Sequence, residues 1–104
     1  MSSPQGYNAL VMALNPWKSF LRTATTVTTT ATAIPATALA NRAGLWVFNA
    51  GTVSCFIGDS TVGTSSEFIL FSNQMQLLPF SDQVTLYGRV ASESIAVISW
   101  EYTI

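Results

Sequence analysis

From about position 41 onward, apolar and polar residues alternate in short runs separated by turn-forming residues, which is the period of strands rather than of helices. Gln83 to Val90 alternates most cleanly, with Val84, Leu86 and Val90 on one face and Gln83, Thr85, Tyr87 and Arg89 on the other. In Ser94 to Ile104, Ala96, Ile98, Trp100, Tyr102 and Ile104 share one side. Ser99, Glu101 and Thr103 mark the opposite side, beyond Ile95 and Val97. Glu67 to Phe71 and Met75 to Leu78 read as short strands around Ser72-Asn73. Gly58-Asp59-Ser60 and Gly63-Thr64-Ser65-Ser66 read as turns. Leu45 to Asn49, the turn signal Ala50-Gly51 and then Thr52 to Ile57 have the pattern of a hairpin.

This hairpin departs from the half-buried pattern, because both of its faces are apolar. Leu45 and Val47 oppose Trp46 and Phe48, and Val53, Cys55 and Ile57 oppose Phe56. One face is expected to form the core. The other, carrying Trp46, Phe48 and Phe56, is expected at a subunit interface, since aromatic clusters favour interfaces, with cover by the chain's own arm as the alternative.

The N-terminal part differs. Residues 23–40 are almost entirely Thr and Ala, and the β-branched threonines favour an extended first strand, at an edge of the sheet and ended by Pro35. Residues 1–22 lack strand alternation. Leu10, Leu14, Trp17 and Leu21 keep a helical spacing that Asn15-Pro16 interrupts. Burying Leu14, Trp17, Phe20 and Leu21 would return roughly 2–3 kcal/mol each. Ordering the backbone costs about 1–2 kcal/mol per residue. The totals are comparable, so the segment is expected to be an arm fixed by a partner. The expected layout is thus an arm at 1–22 and a β-domain at 23–104. With about seven strands in the whole chain, the fold class is all-β: an antiparallel β-sandwich, jelly-roll-like, with an extended N-terminal arm.

Composition narrows the function. Only 9% of the 104 residues are charged, against about 25% in ordinary soluble domains. Such a surface is poorly protected against self-association. The net charge of −1 offers no basic stripe for nucleic acid and no polybasic membrane anchor, and no apolar run reaches the length of a membrane span. The first residues lack the positive start of a secretion signal, so a cytoplasmic origin is the expectation. There is no histidine and a single cysteine, Cys55, read as a small buried hydrophobe. The commonest general base is therefore missing, as is the usual Cys/His zinc set, and no phosphate-binding glycine loop occurs. Gly58-Asp59-Ser60 resembles an esterase serine motif but has no histidine base, so it reads as a turn. The five acids are scattered singly and read as solvated or turn-capping groups. No catalytic residue, cofactor or metal is expected, and the protein is not expected to be an enzyme.

Several runs carry a resemblance. Residues 32–42 lead into Leu45-Trp46-Val47-Phe48-Asn49-Ala50-Gly51. Then come Phe56-Ile57-Gly58-Asp59-Ser60-Thr61-Val62, residues 84–92, and Val97-Ile98-Ser99-Trp100-Glu101-Tyr102. Over about residues 30–104 this resembles a small β-domain of tailed-bacteriophage virion proteins. The shared pattern is an Arg, apolar strand, Asn-x-Gly hairpin, a Val/Ile-x-Ile-Gly turn, and a closing apolar-Tyr-x-x-Ala and Val-x-Glu-Tyr pair. The family's usual Pro-Gly before the central strand is replaced by residues 74–79, and the arm lies outside the shared pattern. The resemblance implies a capsid decoration (cement) protein on the virion surface. Such a protein is commonly a homotrimer and would bind the major capsid protein and stabilise the shell. Leu14, Trp17, Phe20 and Leu21 would lie across capsid subunits, and Trp46, Phe48 and Phe56 would lie between protomers. A head- or tail-fibre module binding host glycans, and a head–tail connector or tail subunit, are the alternatives.

Overall fold

The computed structural model describes residues 18–65 and 68–104. These residues form eight strands: β1 (Ser19–Val27), β2 (Thr32–Ala33), β3 (Gly44–Asn49), β4 (Cys55–Gly58), β5 (Ile69–Leu70), β6 (Met75–Leu78), β7 (Tyr87–Arg89) and β8 (Ile95–Thr103). They build two four-stranded sheets, ordered β1-β8-β3-β6 and β2-β7-β4-β5, in which every pairing is antiparallel. The all-β, two-sheet expectation is met. The strand count is eight rather than about seven, because the Thr-rich run is divided. Val27 and Ile34 both enter the core, and the chain turns between them to pass from one sheet to the other. The turn is closed by the Thr30 amide donating to Thr28 Oγ1 and by the Thr32 hydroxyl donating to the Thr30 carbonyl. The Val90 amide, donating to the Thr28 carbonyl, ties the turn to the second sheet.

The hairpin expected across Ala50-Gly51 does not form. β3 pairs with β6 and β8 in the first sheet, and β4 pairs with β5 and β7 in the second. The cause lies at Asn49, which is wholly buried at the end of β3. Its amide nitrogen donates to the carbonyls of Val53 and Leu70 at 2.9 Å each, and its side-chain oxygen accepts the Gly51 amide at 2.8 Å. These bonds bend the chain across the sandwich instead of back along β3. Gly51 lies so close to Ile95 that a side chain there would collide with it. Crossing between sheets aims Leu45 and Val47 from one side, and Cys55 and Ile57 from the other, at the same interior. A hairpin would have kept both sets in one layer.

The core between the sheets is Val27, Ile34, Leu45, Val47, Cys55, Ile57, Leu70, Leu78, Leu86, Val90, Ile95 and Val97. Gly88 is small because Ile34 and Cys55 press on it: a Cβ there would meet Ile34 Cδ1 at 2.5 Å and Cys55 Sγ at 3.0 Å. Val84, aligned by sequence with Leu86 and Val90, is exposed, because it lies in the turn before β7, where its carbonyl accepts from Arg42.

β8 buries its more polar side. Ile95, Val97, Ser99, Glu101 and Thr103 face inward, and Ile98 and Trp100 are left half-exposed outside. A shift of one residue would reverse this, but it would also expel Ile95 and Val97 from the core. Ion pairing makes the arrangement tolerable. Arg42 Nη1 donates to Glu101 Oε2 at 2.9 Å, with both side chains almost fully buried, and the Leu39 amide donates to the same oxygen at 2.8 Å. The rest of the guanidinium is saturated by the carbonyls of Phe80, Ser81 and Val84. One arginine thus ties the β2–β3 and β6–β7 connections to β8. Glu101, read as a solvated or capping acid, is a buried structural one.

Candidate interaction surface

The inward commitment of Leu45, Val47, Ile95 and Val97 decides what the outside of the first sheet must carry, because alternate residues point to opposite faces. The register sets Arg22, Trp100, Trp46 and Leu77 side by side across the four strands. The next row on the same face is Ala24, Ile98, Phe48 and Met75. Phe20 pairs with Tyr102, which pairs in turn with Gly44. A Cβ on Gly44 would meet the Tyr102 hydroxyl oxygen at 2.7 Å, so the ring lies down against the sheet there.

Trp46, Phe48, Leu77, Ile98 and Trp100 are half-buried on this face, and Phe20 and Met75 are about half exposed at its margins (53% and 49%). Arg22 is the one charge in these rows. Four strands spaced about 4.8 Å apart, over some six residues of about 3.4 Å, cover roughly 300–400 Å². That is within the roughly 300–600 Å² of the largest apolar patch on a typical monomer, a patch that is often functional. It is below the roughly 800 Å² that each partner contributes to a standard interface. The face is therefore the apolar centre of a contact that needs a rim around it. β1 borders it as an edge strand nine residues long, paired only with β8 among the described residues. The outer side of an edge strand is where a further strand can pair.

The sequence-derived residues divide. Trp46 and Phe48 stand together on this face. Phe56 does not join them. It points outward from β4 in the second sheet, opposite Arg89 and Ile69, so the expected three-residue aromatic face is two residues on one layer and one on the other. The reason is the crossing at Asn49, which moved β4 out of the sheet of β3. Phe20 and Leu21, counted with the arm, lie in β1, where both are exposed. Phe20 is in line with the outer face, and Leu21 is opposite Glu101 on the inner side. Leu14 and Trp17 lie outside the described residues. The face gains Trp100, Ile98, Leu77 and Met75, which sequence reasoning had not joined to it. The signal for the first two was the apolar side of β8; the register that brings them beside Trp46 and Phe48 has no local signature.

Titratable groups elsewhere serve the fold. Asp59 Oδ1 accepts the Thr61 hydroxyl at 2.6 Å and the Thr61 amide at 2.8 Å, which holds its carboxyl below the usual range. Asp82 accepts the Asn41 amide at 2.9 Å and the Gln83 side chain, and is lowered likewise. Burial pushes the Cys55 thiol up to about 11, the reverse of an activated nucleophile. Among the described residues, no three metal-binding side chains converge. Comparison of this chain with protein-family models, with curated proteins and with solved structures finds no match in any of the three.

Proposed function

We propose that this chain is a structural virion protein of the capsid-decoration (cement) type, acting as a homotrimer on the major capsid protein of a tailed bacteriophage. The observation that carries the reading is the outer face of the first sheet, where Trp46 and Trp100 are direct cross-strand neighbours in a patch with one charge. Aromatic residues held half-exposed on a rigid sheet lose little side-chain entropy on docking and supply the central contacts of interfaces. The patch is too small to act alone, which suits a protein held at several points by symmetry, where linked contacts add through effective concentration. Two further features support the reading. The strand order β1-β8-β3-β6 and β2-β7-β4-β5 agrees with a jelly roll, in which eight antiparallel strands alternate between two sheets, an architecture used by viral capsid domains. Residues 30–104 also carry the virion-protein pattern described above.

The test is co-sedimentation of the purified chain with empty phage shells, comparing the natural sequence with Trp46→Ser/Trp100→Ser. Loss of sedimentation in a variant that still unfolds cooperatively supports the proposal. Undiminished sedimentation removes this face from the mechanism. Absence of binding by the natural chain to any shell, together with a monomeric native mass, overturns the virion reading.

A further inference from the structure

Arg42 and Arg89 are the same residue type in two opposite states. Every nitrogen of the Arg42 guanidinium has an acceptor, at 2.7 to 3.0 Å. Arg89 makes one long bond, from Nη1 to the Val62 carbonyl at 3.4 Å. Its Nε is buried without any acceptor, and no carboxylate pairs with it among the described residues. The buried Nε is out of a ligand's reach, but Nη2 makes no hydrogen bond among the described residues and is not buried, so that end of the guanidinium is open to one. Arg89 lines a cleft of about 300 Å³, between the turn that carries Thr29 and Thr30 and the one that carries Ser60 and Thr61.

The walls point to a ligand class. The hydroxyls of Thr29, Thr30 and Ser60 make no hydrogen bond within the described protein, so they are available as donors and acceptors. Thr61 has committed its hydroxyl hydrogen to Asp59 and keeps only acceptor capacity. One cation and several hydroxyls match a ligand with one negative charge and several hydroxyls of its own. A guanidinium grips a carboxylate with two parallel N–H bonds. A phosphate dianion would bring a second negative charge beside ionised Asp59, with no second cation among the described residues that line the cleft. The volume is at the lower end for ligand pockets, about 300–1,000 Å³, which admits one ring rather than an extended chain.

We infer that this cleft binds one sugar-acid unit of the uronic-acid class, its carboxylate on Arg89 and its hydroxyls on Thr29, Thr30 and Ser60. The inference does not depend on the virion reading, because the cleft is formed by the second sheet and its flanking turns and the apolar face belongs to the first. The test is a titration of the isotope-labelled full chain followed by backbone and arginine side-chain NMR. Glucuronate, methyl glucuronoside, glucose, acetate and phosphate are the probes.

Saturable shifts at residues 29–31, 60–62 and 89 are expected with glucuronate at millimolar levels. Glucose is expected to give none, and acetate and phosphate weaker ones. Binding of the methyl glucuronoside as well marks a unit within a glycan chain; binding of glucuronate alone marks a free sugar acid. Arg89→Gln is expected to weaken glucuronate at least tenfold with an unchanged urea midpoint. Thr29→Val/Thr30→Val, at exposed positions, is expected to weaken glucuronate several-fold and leave acetate unchanged. No saturable shift with either uronic acid overturns the inference. So does acetate or phosphate binding as tightly as glucuronate, or glucuronate binding to a folded Arg89→Gln chain as it does to the natural one.

Discussion

Replacing Arg42 by methionine removes one charge from a buried pair and leaves the other behind. Glu101 is wholly buried, and its Oε1 has no hydrogen-bond partner even in the natural protein, so the stranded carboxylate would keep only the Leu39 amide. The carbonyls of Phe80, Ser81 and Val84 lose their donor in the same step. Breaking a buried pair in this way costs about 3–5 kcal/mol. A domain of this length has roughly 5–15 kcal/mol of stability in total. Arg42→Met is thus expected to remove a fifth or more of the stability and to lower the melting temperature by about 12–24 °C at the smaller cost. Glu101→Leu is expected to cost a similar amount, since it strands the guanidinium. The double variant strands neither charge, and should be at least about 2 kcal/mol more stable than the sum of the single costs implies. The assay is urea unfolding followed by tryptophan fluorescence, with Trp46 and Trp100 reporting from the first sheet. Costs that add to within about 0.5 kcal/mol would mean the two groups do not act as a pair. The account of why β8 turns its polar side inward would then be wrong.

Three further outcomes follow from single sites. Cys55 should be inert to thiol reagents at pH 8 in the folded chain and react only on unfolding. Its raised folded pKa of about 11 means that stability is fully present below the unfolded value of 9.0 and falls as pH rises between the two, by about 2–3 kcal/mol for an acid shifted by that much; Cys55→Ala should flatten that decline in urea midpoints measured from pH 8 to 11. Gly88→Ala should cost about 1–3 kcal/mol by overpacking against Ile34 and Cys55, and pairing it with Ile34→Val, which removes the colliding Cδ1, should restore part of the loss in the same assay. Asp59 and Asp82, both lowered by hydrogen bonds that the ionised form accepts, contribute stability above the ordinary carboxylate range that is lost as pH falls through their folded pKa values; Asp82→Asn should make the acid limb of a thermal-melt profile shallower than in the natural protein.

Local alternation was enough to establish the class of this fold and much of its interior. Leu45, Val47, Cys55 and Ile57 were legible as core because a strand's side chains alternate, and a run with apolar residues two apart has only one economical use for them. The half-exposure of Trp46 and Phe48 followed from the same fact. The low charge and the missing histidine were visible at once, and they shaped every expectation about chemistry.

Pairing between strands was decided by contacts between distant residues, which alternation does not record. Nothing around Ala50-Gly51 distinguishes a hairpin from a crossing; the choice belongs to Asn49, whose partner Leu70 lies 21 residues away. Once that crossing separated β3 from β4, Phe56 left the company of Trp46, and Trp100 and Leu77 took its place. The burial of Glu101 on the inward face of β8 was made tolerable by Arg42, 59 residues away, because a carboxylate tolerates burial only where a cation and hydrogen bonds already wait for it. Arg89 and the threonines of its cleft were likewise brought together only by the packing of the second sheet. Side-chain period is a property of each strand alone. Which strands meet, and in what register, is a property of the whole chain closing on one core.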